Sequence, residues 1–463
     1  MASGLAARNG GWIGLGALVA ILLLGLGLRV AEAWDGRAPV YDAQAYAAIA
    51  ANLSEGSGFT VGPEATQPSS NYSPGLPLLV AGLYEVTGGV HERLARLVLA
   101  AVGALSVLFA YAIGRRLGRL ASYSSYSQVN SPIVWPALVG AVVVAIYPAL
   151  LEYQGMLMSE PLAATLLSGG ALAVLWAWDG SWVRWLLPGV LFGALAMVRP
   201  EYLGIALLVG LVIAVRQVRG DWRSSLLRAA VFLGAALVVI APWTIRNAVA
   251  LDRFVPISTG GGQVLFAGTY LPSDGDPEKV GAEVVAENPQ LFAPRDAQRL
   301  RLEQILAQLA QARYPGLETD QALSKMGKEQ LWDDISEHTG DYVGFVATKI
   351  GRIWSHGPRD VMREPAWEVL HWALVALGLL GLAVLAWRRR WEALLLGTIF
   401  LAITALSALL VASPRRVLVL VPLLAALAAP AIAWLTVSLG SPSAARLTKP
   451  GQAADGLPVR DPG

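Results

Sequence analysis

The residues of this chain that could do chemistry stand in a few short stretches. Residues 42–53 (DAQAYAAIAANL) have helix-forming composition, and Asp42, Tyr46, Ile49 and Leu53 share one face at i, i+4, i+7 and i+11 spacing. A carboxylate thus stands at one end of an apolar stripe. That is the geometry of an interfacial helix presenting an acid where a lipid-borne and a water-borne reactant can meet; aspartate at such a place also serves as a plain helix N-cap. Ser159-Glu160-Pro161 opens a later apolar run, either as an ordinary helix start or as a second acid at the same level. Arg199, Arg246, Arg415 and Arg416 each flank an apolar run. Taken singly, each is explained by snorkelling to the headgroups. Together, converging guanidinium groups would form a receptor for a phosphate carried on a lipid.

Other signals point to turns or to nothing. Residues 71–79 (NYSPGLPLL), which include Tyr72, hold two prolines and a glycine ahead of a short apolar segment, 76–84. Asp274-Gly275-Asp276 has the D-x-D form by which many soluble sugar transferases hold a metal and a nucleotide, yet S-D-G-D-P is ordinary turn chemistry and is read as a turn. The chain has no cysteine, which excludes disulfides, thiolate metal sites and cysteine nucleophiles. A Gly-rich phosphate loop, a paired-histidine zinc motif and a serine nucleophile elbow are also missing. No metal ligand is assigned and no cofactor is expected.

The elements that must position these groups are set by lipid. A hydrophobic share of 55% with 15% charged residues does not suit a water-facing surface, and a net charge of +2 is too small to argue for nucleic acid. Apolar runs fall at 12–31, 94–113, 133–151, 162–178, 185–198, 202–215, 226–245, 369–387, 393–411 and 417–435. The first lacks a signal-peptide cleavage site and reads as a retained helix. The fifth and sixth fall short of the roughly 17 to 25 residues of a full span. Charge decides how to treat them, because arginine and lysine in short loops favour the cytoplasm. With about ten spans and the N-terminus inside, every inner segment is basic: Arg8; Arg115, Arg116 and Arg119; Arg184; Arg216, Arg219, Arg223 and Arg228; Arg388, Arg389 and Arg390. Merging the short pair would put one basic loop outside. The reading is therefore a hairpin with Arg199-Pro200-Glu201 at its outer tip.

The fold class that follows is an all-α polytopic membrane protein, with interfacial helices in the first outer loop and a mainly helical outer domain between spans seven and eight. Its parts are a transmembrane module, 1–245, containing the outer loop 32–92; an outer domain, 246–367; C-terminal transmembrane helices, 368–437; and a disordered cytoplasmic tail, 438–463. In the outer domain, 296–312 and 319–337 read as helices, and 341–354 as a helix lying on the membrane. Residues 122–127 look disordered. Ionisable residues near the middle of spans are nearly absent, which counts against an ion-coupled transporter.

In order and placement, several motifs resemble the GT-C class of membrane glycosyltransferases, specifically the bacterial group related to aminoarabinose transferases and protein mannosyltransferases. They are Asp42 to Tyr46, NYSPGLPLL, the GRRLG at 114–118, the MSEPL at 158–162, the VRPE at 198–201, the APWTIRN at 241–247 leading to FVPISTGGG, and the SPRR at 413–416. The resemblance implies a polyprenyl-phosphate-linked sugar donor, transfer at the outer face of the plasma membrane to a glycan, lipid or protein acceptor, Asp42 as catalytic base and Glu160 as a recurrent acid. Tyr46, Tyr72, Arg199, Arg246, Arg415 and Arg416 are the expected donor-side residues. Many relatives carry lysine or arginine just before the proline of the first-loop motif; this chain has Tyr72-Ser73-Pro74, so phosphate binding falls to other arginines.

The chemistry this implies needs one base. A lipid phosphate is already a good leaving group, unlike the alcohol expelled in glycoside hydrolysis, where two carboxylates share the work. Inversion at the anomeric carbon follows, with arginines stabilising the departing phosphate. The alternatives are a ligase or polymerase of lipid-linked glycans and, in another class, a lipid or glycan transporter.

Overall fold

In the computed structural model, which describes residues 2–36, 42–61, 67–121, 131–216, 221–355, 357 and 359–440, the chain is helical, with no strand among the described residues. It begins with α1 (Ala2–Asp35), two short helices, α2 (Asp42–Ser54) and α3 (Gly75–Thr87), and the long α4 (Glu92–Ala121). Then come α5 (Ser131–Ile146), α6 (Pro148–Gln154), α7 (Ser159–Ala177), the short pair α8 (Leu186–Val198) and α9 (Tyr202–Arg216), and α10 (Trp222–Leu251). Six helices follow in the longest polar stretch: α11 (Gly261–Thr269), α12 (Val280–Glu287), α13 (Asp296–Arg299), α14 (Leu302–Arg313), α15 (Thr319–Glu337) and α16 (Thr339–Ser355). The chain ends with α17 (Pro365–Trp387), α18 (Trp391–Leu409), the single turn α19 (Arg415–Leu418) and α20 (Val421–Gly440). Residues 122–127, Arg219 and the tail from 441 onward lie outside the described residues.

Among the described residues seven helices are long and apolar enough to cross a membrane, or eight if α5 and α6 count as one bent span. The two remaining expected spans are the shorter apolar helices Trp182–Val198 and Tyr202–Arg216. Arg199 separates them because a residue before proline is pushed out of the helical region, and its backbone is extended at φ −145° and ψ 103°. α20 is buried throughout its first half, residues 421–430, and packs against α4, α5 and α17. Small residues let it do so: a Cβ at Gly140 or Gly381 would collide with the carbonyl oxygens of Ala425 and Leu427. Such close backbone approach is how helices associate where lipid gives no hydrophobic drive.

The third run, read from sequence as one span, breaks at Tyr147 and turns by 44° into α6. Pro148 has no N–H to donate and its ring crowds the carbonyl four residues back, that of Val144. The freed acceptors are taken by Arg29, which is 1% exposed: Nη2 donates to Val144 O at 3.0 Å and Nη1 to Ala145 O at 3.2 Å. This buried arginine caps the break from another helix, and α6 then carries Glu152 and Tyr153 in the new direction. Each buried carbonyl left unpaired costs about 1–3 kcal/mol. Arg29→Met is therefore expected to lower stability by about 3 kcal/mol, read as a fall in midpoint when the detergent-solubilised protein is unfolded; an unchanged midpoint would mean water or a neighbour takes over the cap.

The segment between α10 and α17 has its own core of Phe266, Val280, Val284, Leu306, Leu309 and Met326. Residues 296–312 form two helices where one was expected. Leu300 breaks them in an extended conformation, and Gln304 Oε1 accepts from the Arg301 N–H to restart the helix. Thr319–Glu337 is one helix, as expected. α16 buries Phe345, Lys349 and Ile353, packs on α15, α18 and α19, and leaves Val343 and Ile350 exposed. Asp274-Gly275-Asp276 is a turn: Asp274 and Gly275 are left-handed at φ 52° and 68°, and Asp276 faces Arg352.

Candidate active site

Five of the residues singled out by sequence meet at one end of the bundle, where α2, the start of α7, the α8 to α9 turn and α19 come together. Asp42 begins α2 and Glu160 lies in the first turn of α7. Arg415 joins them: Nε donates to Glu160 Oε1 at 2.8 Å, and Nη2 donates to Asp42 Oδ2 at 3.0 Å. Arg199 Nη1 approaches the same Glu160 oxygen at 3.3 Å, while its Nε donates to Glu201 Oε1 at 3.1 Å. Arg416 Nη1 reaches that Glu201 oxygen at 3.4 Å. Three carboxylates and three guanidinium groups thus alternate in one network, and their formal charges cancel.

Exposure separates the members of the network. Glu160 is fully buried, whereas the side chains of Asp42 and Arg415 are 44% and 30% exposed. Glu160 is held by two arginines from distant parts of the chain, so it fixes them in place. Its Oε2 is buried with no partner among the described residues. Among the described residues Asp42 has one partner, at the accessible edge, and that partner can be drawn away. Glu201 is only partly exposed, which opposes its charge, but Arg199 and Arg416 outweigh this and hold its carboxyl below the usual range.

The expected tyrosines flank the acid. Burial, with Asp42 and Glu160 nearby, pushes the phenol of Tyr46 up so that it stays protonated. Tyr72 packs edge-on against Tyr46 at 6.0 Å between ring centroids. Ser159 is the first residue of α7 and not its cap; the cap position is Met158, which makes no side-chain cap bond.

Arg246 has other partners. Its Nη1 donates to Ser69 O at 2.9 Å and to Asn247 Oδ1 at 3.0 Å, and its guanidinium lies over the rings of Phe59 and Trp243. With Trp243 Nε1 bonded to Ile257 O, it ties the first loop to the end of α10. Arg246 thus stands apart from the carboxylate network, with its guanidinium spread over two rings and two acceptors.

Four participants were not singled out from sequence as site residues. Glu201 entered the sequence reading only at the hairpin tip and as the last residue of the VRPE motif. Glu152 and Tyr153 come with the bend of α6, and Arg359 precedes α17; Arg359 Nη2 donates to Glu152 Oε1 at 2.6 Å. The guanidinium groups of Arg359 and Arg415 lie 5.9 and 5.7 Å from the Tyr153 ring centroid. An arginine before an apolar run is too common a pattern to mark Arg359.

Lys349 stands behind the arginines. It is 1% exposed, donates to Gly268 O at 2.5 Å, and is pushed down to about 7, first by burial and then by Arg416. In the unfolded chain a lysine titrates near 10.4. Between these values the unfolded state binds more protons, so stability rises with pH from about 7 to about 10.4. The stabilisation is complete above the upper value and lost as pH falls through the lower. Lys349→Met is expected to flatten this pH dependence, measured as thermal midpoints across the range; an unaltered slope would assign it to another group.

Among the described residues no three His, Asp or Glu side chains gather as metal ligands. No family model matches the chain, and no curated protein matches it by sequence. Solved structures do match in fold. The archaeal oligosaccharyltransferase AglB from Archaeoglobus fulgidus, in complex with an inhibitory peptide and a dolichol-phosphate, superposes with a TM-score of 0.54 at 17% identity, over 96% of this chain and 53% of its own. An Archaeoglobus fulgidus oligosaccharyltransferase tethered to an acceptor peptide gives 0.53 at 15% identity, over 92% and 50%. ArnT from Cupriavidus metallidurans, bound to undecaprenyl phosphate, gives 0.39 at 15% identity, over 91% and 78%, too low to carry weight. The chain spans about half the length of the oligosaccharyltransferases it matches. The shared fold is that of GT-C membrane glycosyltransferases, as the resemblance in sequence implied.

Proposed function

We propose that this protein is an inverting glycosyltransferase that moves a sugar from a polyprenyl phosphate to a glycan, lipid or protein acceptor at the outer face of the plasma membrane. The observation that carries the reading is the bridge from Arg415 to both Asp42 and Glu160 in a fold shared with oligosaccharyltransferases. The outer-face assignment rests on the basic loops at the opposite ends of the spans.

The network suggests how the reaction would run. Every guanidinium in it already has a carboxylate, so an incoming lipid phosphate must displace one. Asp42 is the candidate, because it is the exposed carboxylate and has a single partner among the described residues, while Glu160 is buried and doubly held. Once the phosphate takes Arg415, Asp42 is an unpaired base facing the acceptor. It removes the acceptor's proton as the acceptor oxygen bonds to the anomeric carbon, and the bond from that carbon to the phosphate oxygen breaks with its electron pair passing to the phosphate. Arg415, with Arg199 and Arg416 behind it, stabilises the charge that grows there. Glu160 then serves to position Arg415 and Arg199, and Tyr46 and Tyr72 wall the acid.

The test is to incubate the purified protein with a panel of polyprenyl-phosphate donors, bearing single sugars and oligosaccharides, and to follow release of the lipid phosphate. Release by the wild type and not by Asp42→Asn supports the reading. Turnover confined to oligosaccharide donors would turn it into a glycan ligase. Vectorial movement of an intact lipid by both proteins, with no release, would favour a transporter.

A further inference from the structure

The opposite end of the bundle holds a second concentration of arginine with different properties. α9 and α18 each run from the carboxylate network to this end: Glu201 precedes α9 and Arg216 ends it, while Trp391 opens α18 and Arg415 follows its far end. A cavity of about 580 Å³ lies here, lined by Arg216, Arg389 and Arg390 together with Ala386, Trp391 and Leu394. In the carboxylate network every arginine has an acid. Among the described residues none of these three meets a carboxylate. The nearest acid in sequence, Glu392, turns into the protein and is 3% exposed, so the wall of the cavity is cationic.

Two backbone features bear on what the cavity takes. Arg389 is left-handed at φ 53°, in the turn that ends α17, where its N–H bonds Ala386 O and the next N–H bonds Leu385 O. That closing turn is ordinarily made by glycine, which adopts the conformation without strain. Arginine there sets its side chain at the cavity in spite of the strain, and strained residues gather where ligands bind. The second feature is the start of α18, a helix of 19 residues whose first turn lines the cavity and whose N-cap, Arg390, makes no side-chain cap bond. The positive end of the helix favours an anion.

The surroundings say which anion. Trp387 is 67% exposed and Leu394 is 50% exposed beside the arginines, and Trp222 is 53% exposed at the start of α10. Tryptophan in such a ring marks headgroup level. Apolar flanks of α17 and α18 run from the cavity towards the middle of the bundle, and acyl chains can lie along them. We propose that Arg216, Arg389 and Arg390 form a binding site for the phosphate of an anionic diacyl phospholipid, at the end of the bundle opposite the candidate active site. Basic pockets between spans are suited to such headgroups. The site is independent of the proposed glycosyl transfer and stands whatever the reaction.

The purified full chain in neutral detergent tests this, with phosphatidylglycerol, phosphatidylcholine or inorganic phosphate added separately, reading thermal midpoint and lipids retained in native mass spectrometry. Phosphatidylglycerol should raise the wild-type midpoint by several degrees and stay bound, with phosphatidylcholine doing neither. In R216Q/R389Q/R390Q its affinity should fall at least tenfold. Arg389→Gly relieves the left-handed strain, so it should keep or raise the midpoint without lipid and yet bind the lipid several-fold more weakly. A structural arginine would give the reverse. If the triple variant is too unstable to purify, Arg389→Gly alone decides. Equal retention of phosphatidylglycerol and phosphatidylcholine, or wild-type affinity in the variants, overturns the proposal. Full protection by millimolar inorganic phosphate, lost in the triple variant, would overturn the lipid assignment in favour of a free phosphate.

Discussion

Asp42→Asn is expected to lower turnover by about 10²- to 10⁴-fold, the range a positioned general base supplies, while binding the donor more tightly than wild type. The loss follows from the chemistry, since an amide cannot take the acceptor's proton. The gain follows from the network. Asp42 and the donor phosphate compete for Arg415, and the amide competes poorly. Because Asp42 is 44% exposed, its pair with Arg415 is worth no more than about 1 kcal/mol, which limits the tightening to about fivefold. Single-turnover kinetics with a radiolabelled donor, alongside equilibrium binding of the same donor, separates the two effects. Unchanged affinity would mean that Arg415 does not have to leave Asp42 for the donor to bind. Unchanged turnover would remove Asp42 from the chemistry altogether.

Arg415→Ala is expected to act on stability and on donor affinity together. Its removal leaves Glu160 fully buried with Arg199 alone, 3.3 Å from Oε1. Breaking a buried pair by deleting one partner costs about 3–5 kcal/mol, and the surviving arginine puts this case at the lower end. A hydrogen bond to a charged group contributes about 1.5–3 kcal/mol, so donor affinity should fall roughly 10- to 150-fold. Arg415→Lys divides the two roles. An ammonium restores charge beside Glu160 and should recover most of the thermal midpoint, but it cannot span Asp42 and Glu160 as a planar fork does, so affinity should recover only in part. If the lysine protein regained full affinity, the fork geometry would be irrelevant to donor binding. Glu160→Gln offers a further comparison, since it leaves Arg199 and Arg415 short of a counter-charge and should loosen both.

Sequence by itself determined where lipid meets the chain. Apolar runs and the basic loops between them are local properties, and the thickness of a bilayer turns them into helices with little help from elsewhere. The break before Pro200 was legible for the same reason, because proline acts on its immediate neighbour. The stripe beginning at Asp42 was visible because helical spacing is short-range. Tertiary structure decided which arginines share an acid. Asp42, Glu160, Arg199 and Arg415 are separated by up to hundreds of residues, and only the packing of α2, α7, α8 and α19 brings them within hydrogen-bond reach. Arg246 had the same credentials in sequence and was drawn to Phe59, Trp243 and the Ser69 carbonyl instead, partners no local pattern announces. The bend at Pro148 was half legible: a proline permits a break, but it took Arg29 from another helix to satisfy the freed carbonyls and make the bent form stable. Helix formation is settled by neighbours a few residues apart, whereas the pairing of charges is settled by distance in space, which a sequence does not carry.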